Sequence, residues 1–319
     1  MRNLILASLL LTPSITFADY TSGVKFDEIY SILVNQHGFD GEYVASVLSS
    51  AEKQEKIIKS MNSPAEFTWT WKKYRKHFVE SKRIYNGKRF IKKHLEVLNR
   101  AEAEFGVPKE IIVAILGVET RYGKIKGNIN VIDALTTLSF DYPRRSKFFT
   151  NELISFFILT RKNNIDIFKT KGSYAGAMGY SQFIPSSYLA YAVDYDGDNK
   201  ADLIHSPEDA IGSIANYLYK SGWKRDVGII LELKDAPKDY DETSLNNIRK
   251  PIRLDEGYSD IMIHTDISKT NKDGKYLLLR YDQDGKEHYY LGSQNFIAIT
   301  KYNRSHFYAK AVYDLAEEF

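Results

Sequence analysis

Apolar residues recur at three- and four-residue spacing through most of the first 223 positions. The segments FDEIYSILVNQHGF (26–39), GEYVASVLSSAEKQEKIIKSM (41–61) and KRFIKKHLEVLNRAEAEFG (88–106) carry the pattern most clearly. Such spacing lines apolar side chains along one face and predicts amphipathic helices. Gly106 stops the third segment as a C-terminal cap, and Pro108 opens the next helix at the position where a missing N–H matters least. NELISFFILTRKNNIDIF (151–168) and SPEDAIGSIANYLYKSGW (206–223) predict two more helices. The second has Ser206 as N-cap, Pro207 in the first turn and Asp209 three residues after the cap, and Gly222 ends it. After Trp223 the period shortens. VGIILELKDAP, IRKPIRLDEG, IMIHTDIS and KYLLLRYDQDGKEHYYLGS alternate in short runs, with turn signals at Asp273-Gly274 and Asp284-Gly285. A small β insertion is therefore predicted over 227–293, and NFIAITKYNRSHFYAKAVYDLAEEF returns to helix. The fold class is mainly α, with a minor β part (α+β).

Composition adds bounds. A chain of 319 residues with 43% hydrophobic content can bury a substantial core. The net charge of +3 is too small, and its lysines and arginines too dispersed, to argue for nucleic acid. Tyr and Phe are abundant, at 23 and 17. They suit a carbohydrate cleft as well as an ordinary core. Residues 1–18, MRNLILASLLLTPSITFA, read as a secretory signal: Arg2 is the positive start, Leu4 to Leu11 the apolar stretch, and Thr16-Phe17-Ala18 the cleavage site. The apolar stretch is too short to span a bilayer. An uncleaved anchor or a buried N-terminal helix is the alternative. There is no Cys, which excludes disulfides, thiolate metal sites and a lipid-modified N-terminal Cys. No other segment predicts a membrane span. The expectation is a periplasmic protein, exported by its N-terminal segment.

Three stretches could carry chemistry. The first is AILGVETRYGKIKGNIN (114–130), which sets Glu119 at the end of an apolar run, between Gly117 and Gly123. A carboxylate in apolar surroundings is costly unless it is paired, hydrogen-bonded or protonated. Kept protonated by desolvation, it is a general acid. A helix-capping or solvated acid would look the same in one sequence. The second is GSYAGAMGYSQFIPSSY (172–188), where closely spaced glycines allow backbone to approach a ligand and Gln182, with Phe183 beside it, offers donor and acceptor. A tight helix–loop–helix packing site fits it too. The third is DYDGDNKADLIHSPEDA (194–210). Asp194, Asp196 and Asp198 alternate like the first ligands of an EF-hand loop, with Asn199 where glycine is usual and His205 where a bidentate acid is usual. Asp202 or Asp209 could complete a calcium site, and an Asx-rich surface turn is the alternative. The seven His residues have no zinc-site spacing. No phosphate-binding loop and no nucleophile-elbow motif occurs.

Taken together and in order, these stretches resemble the lytic murein transglycosylase B family of peptidoglycan-cleaving enzymes. The resemblance is carried by GVETRYG (117–123), DYPRRSKFF (141–149), SYAGAMGYSQFIPSSY (173–188), DYDGD (194–198), ANYLYKSGW (215–223) and ITKYNRSHFYAKAV (299–312). It covers about residues 60–312. It implies a lysozyme-like helical core over 106–226, a helical N-terminal domain over 19–105, the β insertion over 227–293 and a C-terminal segment, 294–319, that returns to the core. It implies Glu119 as single acid/base. Ser173 and Gln182, with Phe183, match substrate-contacting positions. Arg144 and Arg145 match a pair that faces acidic peptide stems or the muramyl lactate. Tyr74, Tyr302, Asn303 and Tyr308 match cleft-lining positions. Asp194, Asp196, Asp198 and Asp209, with the carbonyl of Lys200, match a structural calcium site. No catalytic cofactor is implied, and the partner is the peptidoglycan glycan strand, met by a monomer.

An ordinary glycosidase uses two carboxylates. One acid suffices if the N-acetyl group of N-acetylmuramic acid assists and its C6 hydroxyl closes a 1,6-anhydro ring. A hydrolytic muramidase with the same acid, a non-catalytic peptidoglycan-binding protein and a calcium-binding module are the rival expectations.

Overall fold

The computed structural model describes residues 20–62, 69–234, 236–237, 240–254 and 274–319. The expected secretory segment 1–18, the strand expected in IMIHTDIS and the turn residue Asp273 lie outside the described residues. The helices are α1 (Gly23–Ser31), α2 (Gly41–Ser49), α3 (Glu55–Asn62), α4 (Trp71–Phe78), α5 (Ser81–Lys93), α6 (Leu95–Phe105), α7 (Lys109–Thr120), α8 (Val131–Asp141), α9 (Ser146–Asn163), α10 (Pro185–Tyr191), α11 (Pro207–Lys220), α12 (Gln294–Tyr302) and α13 (His306–Ala316). Two-residue strands β1 (Ile129–Asn130) and β2 (Lys171–Gly172) form one antiparallel pair. Strands β3 (Ile230–Glu232), β4 (Ile252–Arg253), β5 (Lys275–Gln283) and β6 (Lys286–Gly292) form an antiparallel sheet ordered β3-β6-β5-β4.

Helix α7 is apolar all round, and every residue from Ile111 to Gly117 is buried. A helix of that kind belongs inside a core. It sits in a cluster with Leu98 of α6, Ile211 and Ile214 of α11, Phe296 of α12 and Val312 and Leu315 of α13. A second cluster joins Ile29, Leu33, Val47 and Ile57 to Leu135 and Leu138 of α8, to Leu153 and Phe157 of α9, and to Tyr188 of α10. The described helices of 20–105 divide between the two clusters: α1–α3 pack with the second, and α4–α6 with the first. Tyr217 and Tyr302 pack against both clusters and form the seam between them.

In the sheet, the period of two decides which side each residue covers. Leu277, Leu279 and Tyr281 of β5 face the first cluster, while Tyr276 and Leu278 join Tyr289 and Leu291 in a small core on the opposite side. The β5–β6 hairpin turns at Asp284-Gly285, both left-handed at φ 54° and 79°, as its residue types require. One helix differs from expectation. The run 88–105 breaks at His94, which caps α5 and starts α6 with φ −115° and its ring against Phe90 at 4.5 Å. Apolar spacing continues through the break, so the pattern hides it.

Candidate active site

Glu119 lies in the last turn of α7, partly exposed at the end of the buried run. The helix stops because three consecutive residues, Arg121, Tyr122 and Gly123, are left-handed at φ 50°, 62° and 84°. Tyr122 is held there by donating its hydroxyl to the Arg83 carbonyl at 2.8 Å. Gly117 makes room for that ring: a Cβ at this position would stand 2.6 Å from the Tyr122 oxygen. Gly123 makes room for Tyr180, whose ring would meet a Cβ at 1.9 Å. The Thr120 hydroxyl reaches the Tyr180 carbonyl at 3.1 Å and accepts from the Gly123 N–H at 2.9 Å. Gly123 therefore lets the end of α7 be fastened to the glycine-rich loop, while Gly117 lets Tyr122 tie it to α5.

Tyr308, in the first turn of α13, donates its hydroxyl to Glu119 Oε1 at 2.6 Å. Burial first, and then the neighbouring Glu119 charge, push the Tyr308 and Tyr302 hydroxyls far above the ordinary phenol range. Both remain protonated, so towards a carboxylate each can act only as a donor. Tyr302 lies parallel to Tyr308 with ring centroids 6.3 Å apart, and it donates to the Ser181 carbonyl at 2.5 Å. Tyr74 in α4 is buried among Phe78, Phe307, Trp69 and Trp71. It adds to the field on Tyr308. A tyrosine wall thus runs from the acid to the glycine-rich loop.

That loop is organised by its own polar groups. Ser173 Oγ accepts from the N–H groups of Ala175 and Ala177, at 3.3 and 3.1 Å. Gln182 is left-handed at φ 49°, and its Nε2 donates to the carbonyls of Lys126 and Gly179 at 3.1 and 3.0 Å. Both amide hydrogens are spent, and the Gln182 carbonyl oxygen is the atom left to accept from a ligand. Phe183 is 3% exposed and packs on Tyr217 and Tyr302. It is a layer behind the wall, and this corrects the expectation of a substrate-facing ring. Tyr74 and Tyr308, each 2% exposed, also stand mostly behind the surface. Asn303 is exposed immediately after α12. Arg144 and Arg145 lie exposed in a single 3-10 turn between α8 and α9, with Arg145 stacked over Phe148 at 4.2 Å.

Three residues that the sequence reading passed over help build the site and its surroundings. Tyr180 is the ring against Gly123, and Lys126 lies over its face at 4.5 Å. Glu152, in the apolar run of α9, is 3% exposed and accepts from the N–H and hydroxyl of Ser186 at 3.0 and 2.7 Å. It thereby anchors the first turn of α10. Burial pushes its carboxyl up, against those two hydrogen bonds.

The acidic loop follows. Carboxylate oxygens of Asp194, Asp196 and Asp209 lie within 4.8 Å of one another. Gly197 and Asn199 are left-handed at φ 83° and 70°, the turn an EF-hand-like loop needs. Asp198 is outside that group, with Oδ1 on the Lys200 N–H at 2.8 Å. Asp209 is fully buried. Its Oδ1 accepts from the N–H groups of Tyr195 and Asp196 at 2.6 and 3.1 Å, and its Oδ2 accepts from that of Asp202 at 2.7 Å. Ser206 caps α11 through the Asp209 N–H, as its position predicts.

A lysozyme-like helical core carrying one acid in a tyrosine-walled site defines an enzyme that cuts glycans. The chain belongs to the lytic murein transglycosylase B family: the model of the transglycosylase SLT domain matches residues 26–317. It is 37% identical over 311 residues to the membrane-bound lytic murein transglycosylase B of Escherichia coli K12, a match spanning 94% of this chain and 83% of that protein. Soluble lytic transglycosylase SltB1 of Pseudomonas aeruginosa superposes with a TM-score of 0.82 at 39% identity, over 91% of this chain and 96% of that one. The Escherichia coli lytic transglycosylase Slt35, solved in complex with calcium, gives 0.84 at 36% identity over 94% of each chain.

Proposed function

We propose that this enzyme cleaves the β-1,4 bond between N-acetylmuramic acid and N-acetylglucosamine in peptidoglycan, with Glu119 as both acid and base. The observation that carries the reading is the Tyr308 hydroxyl on Glu119 Oε1 at 2.6 Å, which holds the partly exposed carboxyl in place at the end of α7. Protonated Glu119 gives its proton to the glycosidic oxygen as the bond to muramyl C1 breaks. The N-acetyl group of the muramyl residue stabilises the developing cation. Glu119, now a carboxylate, takes the proton of the C6 hydroxyl, which attacks C1 and closes the 1,6-anhydro ring. No water enters, and Glu119 ends protonated as it began. Ser173, Gln182 and Asn303 bind and orient the sugars. Arg144 and Arg145 meet the lactyl or stem carboxylates. Mass spectrometry of the products tests the reading: anhydromuramyl ends are expected, and reducing ends heavier by one water would make the enzyme a muramidase.

Tyr308→Phe tests the acid's support. Losing a hydrogen bond to a charged group is worth roughly 1.5–3 kcal/mol. We expect kcat to fall about ten- to hundredfold at an unchanged fold, measured as initial rate on purified murein.

The loop of Asp194, Asp196, Asp198, Lys200 and Asp209 is proposed to hold a structural calcium. Its support is the three converging carboxylates and the left-handed Gly197 and Asn199. The cation would neutralise charges that otherwise repel. Chelation is expected to lower the melting temperature by several degrees, and an identical melt in chelator and in calcium would count against the ion. We read the chain as a periplasmic monomer, exported by residues 1–18. Its units are taken as 19–105, 106–226, 227–293 and 294–319. Among the described residues, no helix is long and apolar enough to cross a membrane.

A further inference from the structure

Glu152 is a buried carboxylate that the proposed reaction does not use. It stands on α9 between Phe149 and Phe156, both buried, where an apolar side chain would fill the space without the cost of desolvating a charge. Its oxygens go to Ser186, Oε2 to the N–H and Oε1 to the hydroxyl. The start of α10 is where such a partner is needed. Ile184, its N-cap, offers no side-chain acceptor, and Pro185 has no N–H, so the Ser186 N–H is the first donor of the helix without a partner inside it. A glutamine could satisfy one of the two Ser186 donors. Only a carboxylate accepts both without presenting a donor of its own.

The consequence falls on Gln182, four residues upstream. Gln182 is left-handed at φ 49°, a conformation that a residue with a side chain holds only where its surroundings impose it. Before it, the Met178 N–H bonds the Phe183 carbonyl at 2.9 Å and closes the loop. After it, the backbone is held at Ser186. We propose that Glu152 is a positioning residue: through Ser186 it locks the exit of the glycine-rich loop, and so keeps Gln182 in the left-handed turn that leaves its carbonyl oxygen to a sugar. The role of that oxygen rests on the glycan reading above; the lock does not. The same carboxylate joins the loop to the Arg144–Arg145 turn, because α9 begins there. Ser146 and Thr150 fasten that end of α9 to Ser139 of α8, at 2.6 and 2.8 Å, and Arg145 lies close enough to act on the Glu152 charge. Two proposed substrate-binding elements thus share one strut.

The first arm of the test measures initial rates on solubilised murein for the wild type, Glu152→Gln, Gln182→Ala and the double variant. Glu152→Gln is expected to raise KM about fivefold with kcat within about twofold, because Glu119 and Tyr308 are untouched. On top of Gln182→Ala it should add less than about twofold, since both changes act through one side chain. Where Gln182→Ala raises KM, an unchanged KM in Glu152→Gln, or the full rise repeated in the double variant, would overturn the proposal. The second arm follows backbone amide exchange in the full chain. Glu152→Gln should speed exchange within residues 173–186 while α11 keeps its wild-type protection. Faster exchange throughout, or no change in the loop, would reduce Glu152 to an ordinary structural part. If Gln182→Ala leaves KM unchanged, the sugar-binding reading of Gln182 fails separately, and the exchange arm alone decides the lock. Should Glu152→Gln not fold, Ser186→Ala keeps the N–H donor and removes only the hydroxyl; it is read against the same criteria, with a KM rise of about twofold expected.

Discussion

Glu119→Gln is expected to abolish release of anhydromuramyl products, by roughly a thousandfold or more in initial rate. The substitution keeps the size of the side chain and leaves a carbonyl oxygen that can accept the Tyr308 hydroxyl. What it removes is the transferable proton and the base that must recover one. In the proposed reaction both half-reactions use the same group, and the tyrosines of the wall cannot supply half of the activity: the hydroxyls of Tyr302 and Tyr308 are held protonated by burial. The melting temperature should stay within a degree or two of wild type, so the loss reads as chemistry. The measurement is product release from purified murein by mass spectrometry with a matched melt. A variant retaining a tenth of the wild-type rate would remove Glu119 from the reaction.

The second large effect is on stability. Gly179 is left-handed at φ 70°, and a Cβ there would stand 2.1 Å from the Leu203 carbonyl oxygen. That oxygen already accepts the Tyr180 N–H at 2.8 Å, so it cannot move without breaking the joint between glycine-rich and acidic loops. Gly179→Ala combines backbone strain with a clash against main chain, about 3 kcal/mol or more. The expected fall in melting temperature is roughly 5–10 °C. Gly285→Ala is the control: it is left-handed at φ 79° with nothing within 4 Å, so it isolates the strain. Its cost should be about 1 kcal/mol. Equal melts for the two variants would show that the Leu203 contact is soft.

Much of this architecture is written locally. Helix periodicity, the Ser206 cap and the Asp284-Gly285 turn each depend on a few neighbouring residues, and each appears where the sequence puts it. The break at His94 is invisible because the apolar spacing on its two sides stays in phase. The partition of α1–α6 between two cores is invisible for another reason: an amphipathic face says that it will be buried, not against what. The site shows the same limit. An acid in an apolar run describes Glu119, and it describes Glu152 equally well. Glu152 is the more deeply buried of the two, yet its oxygens are committed to Ser186, and only the assembled fold separates an anchor from a candidate acid. Phe183 stands in the motif beside Gln182, but a half-turn of backbone sends the amide to the loop and the ring into the core.

Tyr308 and Glu119 are 189 positions apart in the chain. A contact of that span is expected to form late, because the closure entropy has to be met before the contact contributes. Refolding should therefore restore helix signal and compactness before it restores cleavage. During synthesis the acid emerges long before the tyrosine that steadies it. For an enzyme that cleaves peptidoglycan, sequence order then sets a clock: the proposed acid is made early and its support arrives last.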